Sequence, residues 1–402
     1  MKQQLFGFAP VAIAAAVMMA GCNRQEAPPA SKTATAPTPA TAPATPAADV
    51  LKIGHVAPLT GGIAHLGKDN ENGARMAVEE INAAGGLKVG ARTYKLELVA
   101  EDDKADPKEG TLAAQKIVDS GAVAVVGHLN SGTSIPASKI YADANVTQIS
   151  PSATNPKLTE QGFKTTFRVV ANDNQQGAVL ANYAADSLKA KTIAIVDDRT
   201  AYGQGLADVV ERVAKQKGMK VVAREFTNDK ATDFNAILTK VRATKPDVVM
   251  YGGMDATAGP MAKQMMQLGV KSTLLAGDGV CSPEFIKLAG DASGMLHCSQ
   301  AGEAITKLSQ GNSFVEKYKK RFNNAEVQIY SPYSYDAVYV IADAIKRAGK
   351  ADRASITGAM PATNYNGLTG TVAFDDKGDI KGGAISMFKI VNGKMEYVST
   401  VR

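Results

Sequence analysis

Short apolar runs of β type alternate with amphipathic helical segments along most of this chain, and that alternation leaves few architectures open. Leu51-Lys-Ile-Gly-His-Val-Ala57 and the run YKLELVA at 94–100 both place apolar residues on alternate positions. Between them, Asn72 to Ala84 sets Ala74, Ala77, Val78, Ile81 and Ala84 on one helical face and stops at Gly85-Gly86. Asp106-Pro107 reads as an N-cap followed by proline at the first helical position, opening a helix that runs towards Gly121. A strand at 123–126, a helix through Tyr141 and a strand at 146–150 complete the first block. The pattern restarts with strands at 192–196, 220–226, 247–251 and 273–276, separated by helices at 205–217, 233–243 and 256–268. Such alternation in two blocks predicts an α/β protein with two doubly wound parallel-sheet lobes. The stretch 300–366 reads as largely helical, through 314–322 and 335–348, and 368–402 returns to strands.

The chain has 402 residues, and the first fifty do not fit this scheme. Lys2 precedes an apolar run from Leu5 to Ala20, interrupted by Gly7 and Pro10, which reads as a signal peptide over 1–21. It ends Met19-Ala20-Gly21-Cys22, a lipobox-like site at which Cys22 is lipidated and becomes the new N-terminus; the alternative is ordinary cleavage after Ala20. Residues 22–49 then form a linker, almost wholly Pro, Ala and Thr from Pro28 onward, with the composition of an extended tether. The expectation is therefore an exported protein, periplasmic or at the cell surface, with a lipid anchor in a bacterial membrane. The remaining 350 or so positions are too many for one ordinary core and suit two.

A net charge of +6, spread without a basic block, speaks against nucleic acid as a partner. Cys281 and Cys298 are the cysteines left in the folded part. In an oxidising compartment such an isolated pair predicts a disulfide, and His297 beside Cys298 does not bring the spacing of a metal site. No G-x-S-x-G, H-E-x-x-H or G-x-G-x-x-G constellation supports catalysis, so the chain reads as a binding protein without a cofactor, metal or catalytic residue.

In open parallel sheets, ligands bind outside the carboxyl ends of the strands, so polar residues stranded there are the candidates. The first is VVGHLNSGTS at 125–134. Its spacing from Gly127 to Gly132-Thr133-Ser134 approaches a phosphate-binding loop, except that threonine stands where the lysine is required. The next strand ends in a second loop, Ser150-Pro151-Ser152-Ala153-Thr154-Asn155. Both offer hydroxyls and amides without a cation, which suits a single carboxylate better than a polyphosphate. On the other block, Asp278 sits between two glycines after an apolar strand, suited to an ammonium group or to a plain turn. Hydroxyls on one lobe and a carboxylate on the other describe a site for an amino acid. Tyr202 and Tyr335 are candidate walls; His128 is read as packing at a strand end.

The runs GHVAPLTGGIAHLGKDNENGARMAVEEINAAGG (54–86), AEDDKADPKEG, VVGHLNSGTSIPAS, ISPSATNPKLT, DDRTAYGQGLADVV and MYGGMD resemble the periplasmic leucine/isoleucine/valine-binding proteins. These are the type I (Venus-flytrap) substrate-binding components of branched-chain amino acid ABC transporters, and the similarity covers 50–402. The resemblance implies that Ser131 and Thr154 hold the ligand carboxylate, with backbone at Ser152-Ala153. It implies Asp278 as the acid for the ammonium, Tyr202 as an aromatic wall and Tyr335 near another pocket tyrosine. It also implies three crossovers, near 170, 299 and 370, so that 50–170 with 300–370 make one lobe and 171–299 with 371–402 the other. Leu66 and Met254 stand where tyrosines commonly shape the side-chain pocket. Ala105 and Asn130 replace a first-lobe cysteine pair. The expected partners are a small amino acid, most simply leucine, isoleucine or valine, and a membrane permease, with the protein itself a monomer. The rival readings are a sensor of the same fold without a transport role, and a binder of an amide or aromatic amino acid.

Overall fold

The computed structural model describes residues 49–402; the signal peptide, Cys22 and nearly all of the linker lie outside the described residues. Two sheets organise them. The first contains β1 (Asp49–Ala57), β2 (Leu87–Val89), β3 (Arg92–Asp102), β4 (Ala124–Gly127), β5 (Thr147–Ser150) and β6 (Thr166–Arg168), in the order β2-β3-β1-β4-β5-β6. The second contains β7 (Thr192–Asp197), β8 (Lys220–Phe226), β9 (Val248–Gly252), β10 (Thr273–Ala276) and β11 (Leu296–Ala301). A separate hairpin, β12 (Asn364–Gly367) and β13 (Gly370–Ala373), precedes β14 (Ile385–Val391) and β15 (Lys394–Val401), which complete the second sheet as β15-β14-β11-β10-β9-β7-β8.

The central strands are parallel and buried along their whole length, as in AVVG at β4 and VVMYG at β9. Strands covered by helices on both faces have no solvent side, so their sequence runs continuously apolar instead of alternating. The sheet margins depart from the expected all-parallel arrangement: β2 pairs antiparallel with β3, and β14 and β15 pair antiparallel next to β11. Short connections explain it, since Gly90-Ala91 and Asn392-Gly393 join neighbours by tight turns, and a tight turn can only produce antiparallel pairing.

The chain passes between the sheets three times, after β6, after β11 and between β13 and β14. The last two passages lie slightly later than 299 and 370. Strand β11 stays in the second sheet as far as Ala301, and the β12–β13 hairpin is tied to the first lobe through Asp336. That carboxylate accepts the backbone N–H groups of Leu368 and Thr369 at 2.8 and 2.7 Å, so the hairpin turn moves with the Ser331–Ala348 helix.

Helix ends follow local chemistry where the sequence supplies it. Asp106 caps the Pro107–Asp119 helix by accepting from the Lys108 and Glu109 amides. Two helices begin earlier than periodicity predicts. The first runs Ala64–Ala83, not from 72, because its polar opening turns are buried against the second, which runs Ser331–Ala348, not from 335. Asp69 is the link. Its carboxylate accepts the N–H groups of Gln328, Ile329, Tyr330 and Ser331 at 2.8–3.1 Å, together with the Tyr318 hydroxyl. A buried charge with five donors is satisfied, and it takes up amides that the helix start would otherwise leave unpaired.

The topology places the functional loops. In the first sheet β1 and β4 diverge in connection direction, and in the second β7 and β9 do. Each divergence opens a crevice at the carboxyl ends of the strands. The loops after β1, β4, β5, β7, β9 and β10 gather there.

Candidate functional site

The first-lobe wall is built from the loops after β4 and β5. Ser131 is the first residue of the Ser131–Asp143 helix, behind an extended N-cap at Asn130. Its hydroxyl oxygen accepts the Asn155 amide at 3.1 Å, which leaves its proton free to donate. Ser134 and Ser150 both donate to the His128 carbonyl, at 3.1 and 2.9 Å, and Ser150 also accepts the Ala153 amide. Ser152 donates to the Leu129 carbonyl and accepts from Asn70. Serines thus fasten one loop to the other. His128 itself packs, between Asp103 and the Tyr141 hydroxyl.

Behind these loops lies Arg168, fully buried on β6 and paired with Asp379. Its guanidinium donates to the carbonyls of Ala153 and Asn155, each at 2.9 Å. Those carbonyls are turned to the back of the loop, away from the cleft. Thr154 Oγ1 is buried without a hydrogen-bond partner, and so is Asn130 Oδ1. The Thr154 hydroxyl lies beside the Asp173 carboxylate, whose charged form it favours, and Asn130 lines the cavity.

The second-lobe wall centres on Asp278. One carboxylate oxygen accepts from Gln176 Nε2 and the Tyr202 hydroxyl, both at 2.9 Å; the other accepts from the Tyr330 hydroxyl at 2.8 Å. Its flanking glycines are obligatory for this approach: a Cβ on Gly277 would lie 2.6 Å from the Tyr202 hydroxyl, and one on Gly279 2.6 Å from Met254 Sδ. Gln176 is oriented by Ser299, which donates to its Oε1, so its amide nitrogen must face the acids. That nitrogen bridges Asp278 and a second buried acid, Asp173, at 3.0 Å. Among the described residues no basic side chain pairs with either carboxylate. Burial, reinforced by the charge of Asp278, pushes Asp173 up to about 7, and burial likewise raises Asp278. Two acids held together without a basic partner raise each other's cost of ionisation.

Asn130, Ser131, Ser152, Tyr202, Met254 and Asp278 line one small cavity with Leu129 and Tyr330. Ala153 and Thr154 are buried in the adjoining loop. Leu66 packs with Leu129 and Tyr330 behind the wall and does not line the cavity. Tyr335 is the misplaced residue. Its hydroxyl donates to Glu80 at 2.5 Å, beside Phe314 and Tyr339, and its ring never faces the cleft. Tyr330, five residues earlier and outside the helix, takes the role instead. The signal was Tyr330-Ser331-Pro332, a helix start that periodicity alone does not register. Asp173 and Gln176 are missed too, because β6 is only three residues long and their helix, Asp173–Asn182, lies beyond the first crossover. Cys281 and Cys298 stand with Cα atoms 5.5 Å apart, joining the Asp278 turn to β11.

The lobes meet across the cavity. Tyr330 reaches Asp278, Asn155 Nδ2 donates to the Ala201 carbonyl at 2.6 Å, and His65 meets Asp255 at 2.7 Å. Larger grooves, such as that between Ile286, Ile305 and Tyr397, hold none of the buried carboxylates.

The family model described as periplasmic binding protein matches residues 50–394. The chain is 38% identical over 336 residues to a leucine-, isoleucine-, valine-, threonine- and alanine-binding protein of Pseudomonas aeruginosa, covering 83% of this chain and 88% of that protein. It is 36% identical over 356 residues to Leu/Ile/Val-binding protein homolog 1 of Brucella abortus, covering 87% and 94%. Among solved structures it resembles the leucine-binding protein LivK of Thermotoga maritima, at TM-score 0.80 and 29% identity over 87% of this chain and 98% of that one. It equally resembles LivJ of Streptococcus pneumoniae in complex with isoleucine, at TM-score 0.80 and 28% identity over 88% and 99%.

The raised Asp173 has a measurable consequence in ligand-free protein. Its folded value lies above the unfolded one, so its contribution to stability is full below about pH 3.8 and is lost as pH rises through about 7. Asp173→Asn does not ionise and should gain on wild type by about 1–3 kcal/mol across that range. Urea unfolding of both proteins at several pH values checks it; a pH-independent difference would contradict the buried-acid picture.

Proposed function

The chain belongs to the periplasmic binding protein family, and from that footing we propose that it captures a free L-α-amino acid between its lobes and delivers it to an ABC permease. Family membership makes it an extracytoplasmic solute-binding protein and not an enzyme. One observation carries the choice of ligand: buried Asp278, without a basic partner, shares one cavity with the start of the Ser131–Asp143 helix and the Ser131 and Ser152 hydroxyls, and Asp173 adjoins it through Gln176. In this reading Ser131, Thr154 and the Ser152-Ala153 backbone bind the carboxylate, and Asp278 with Asp173 binds the ammonium. Met254, Leu129, Tyr202 and Tyr330 surround the side chain, an apolar setting that favours leucine, isoleucine or valine. Relatives bearing those names, and a neighbour holding isoleucine, support the same preference. A ligand satisfying both ends removes the cost of closing over unpaired charge, and one that lacks either end does not. The three passages between sheets act as the hinge.

The expected ranking of variants follows from the two walls. Ser131→Ala or Thr154→Ala removes one of several bonds to an anion and should weaken binding by about 1.5–3 kcal/mol. Asp278→Ala strips the ammonium of its main partner in a closed site and should cost about 3–5 kcal/mol. Calorimetry with L-leucine, L-isoleucine and L-valine tests the order, and undiminished affinity in Asp278→Ala would refute the zwitterion reading. A sensor of the same fold predicts the same binding, and uptake assays in cells lacking the protein separate the two roles.

We further propose lipidation at Cys22, with the Pro/Ala/Thr tether carrying a monomeric receptor away from the membrane. Cys22→Ser should move the protein from the membrane fraction to the soluble one at unchanged ligand affinity. Wild type found wholly in the soluble fraction would end that proposal.

The Cys281–Cys298 pair, close enough to bridge, is proposed as a disulfide that steadies the Asp278 turn and stabilises the fold by about 2–4 kcal/mol. Alkylation before reduction should leave both thiols unlabelled in the exported protein; two labelled thiols would contradict it.

A further inference from the structure

Away from the cavity, at the mouth of the cleft, one titratable pair joins the lobes. His65 lies in the first turn of the Ala64–Ala83 helix, after β1 of the first sheet. Its Nε2 stands 2.7 Å from Oδ2 of Asp255, which opens the Asp255–Gln267 helix after β9 of the second sheet. The Asp255 side chain is fully buried, whereas 22% of the His65 side chain remains exposed. Ser282 donates to the same carboxylate oxygen, while Asp255 Oδ1 is buried with no partner. The acid is thus held in place by its own lobe and only half satisfied by it. His65 contributes from the opposite lobe without lining the cavity.

We propose that His65 and Asp255 form a latch that holds the closed lobes together, so that capture is tighter when His65 is charged. The proposal rests on the reading that the lobes close over a bound solute. His65 is a positioning residue here, acting through Asp255 on the lobe equilibrium and not on the ligand. Opening separates the pair, because the two residues belong to different sheets.

The charged groups facing His65 agree in direction. Burial alone would lower its pKa, but the hydrogen bond and the charge of Asp255, with Glu284 beyond, outweigh burial and the opposing Lys287 and raise it above the ordinary 6.5. Asp255 in turn faces His65 and Ser282, and its charge reaches the Tyr330 hydroxyl, whose ionisation it opposes. In open lobes His65 loses Asp255 and its pKa falls back, so closure takes up protons. The latch is therefore fully present below about pH 6.5 and is lost as pH rises through the raised value. Asp173 pulls the other way. It must be charged to hold an ammonium, and with a pKa of about 7 it weakens binding as pH falls. The wild-type profile mixes both effects, so the latch is read from the difference between wild type and a variant that keeps Asp173.

His65→Gln retains a hydrogen-bond donor and cannot become charged. Dissociation constants for L-leucine, L-isoleucine and L-valine, whichever binds most tightly, are measured between about pH 5.5 and about pH 8.5. The two proteins should coincide at the alkaline end, and at the acid end the variant should bind about two- to fivefold more weakly, the range of partly exposed ion pairs. Superimposable profiles overturn the latch. If wild type binds none of the three at any pH, the amino-acid reading fails, and the latch is tested without ligand by small-angle scattering. Wild type should then lose compactness between about pH 6 and about pH 8.5 to a greater extent than His65→Gln, whose remaining change is that of the cleft acids; equal losses in the two proteins overturn the latch.

Discussion

A carboxylate at the bottom of a closed cleft governs this structure. Asp278 is buried, raised in pKa by that burial, and surrounded by neutral donors: Gln176 and Tyr202 from its own lobe and Tyr330 from the other. Neutral donors lower the cost of burying the charge without cancelling it. Asp173 next to it increases the shortfall. A lobe interface that contains an unmatched negative charge is the ground for the proposed capture of an ammonium group.

The scaffold behind that carboxylate is arranged so that nothing else can move into the cation's place. Ser299 orients Gln176, glycines on both sides let Tyr202 and Met254 approach, and Asp69 anchors the segment that carries Tyr330. On the opposite wall Arg168 plays the matching part. It takes up the carbonyls of Ala153 and Asn155, so the loop offers hydroxyls to the cleft. A basic side chain this close to the cavity serves the backbone, and the loop presents amides and hydroxyls without a lysine. In the proposed function recognition is thus divided: each lobe satisfies one end of a zwitterion, and only a closed protein satisfies both.

Much of this was legible in the residue order. The βα alternation, with glycine at helix ends and Asp-Pro at a helix start, specifies two open sheets, and open sheets bind at the carboxyl ends of their strands. Ser131, Ser152, Tyr202 and Asp278 were readable because they lie in the loops and helix starts that follow strands, Met254 enters through the family resemblance, and all five line one cavity, with Thr154 in the adjoining loop. Asp173, Gln176 and Tyr330 were not, since they follow crossovers whose direction in space depends on how the lobes pack. Tyr335 was misread for the same reason: two tyrosines close in sequence differ only in which of them the Asp69 tie brings to the cleft.

By itself, then, the sequence determined most of the elements, the parallel pairing of the central strands and the chemistry available at each strand end, because those depend on periodicity and on neighbours a few residues away. Only the tertiary structure decided which polar groups end unpaired. Partners such as Asp69 and Tyr330, Arg168 and Ala153, or His65 and Asp255 come from distant parts of the chain, and charge imbalance in a cleft is a property of the groups that meet there. A carboxylate in a turn is unremarkable in sequence, and burial without a basic partner is what marks Asp278 as the proposed ammonium site.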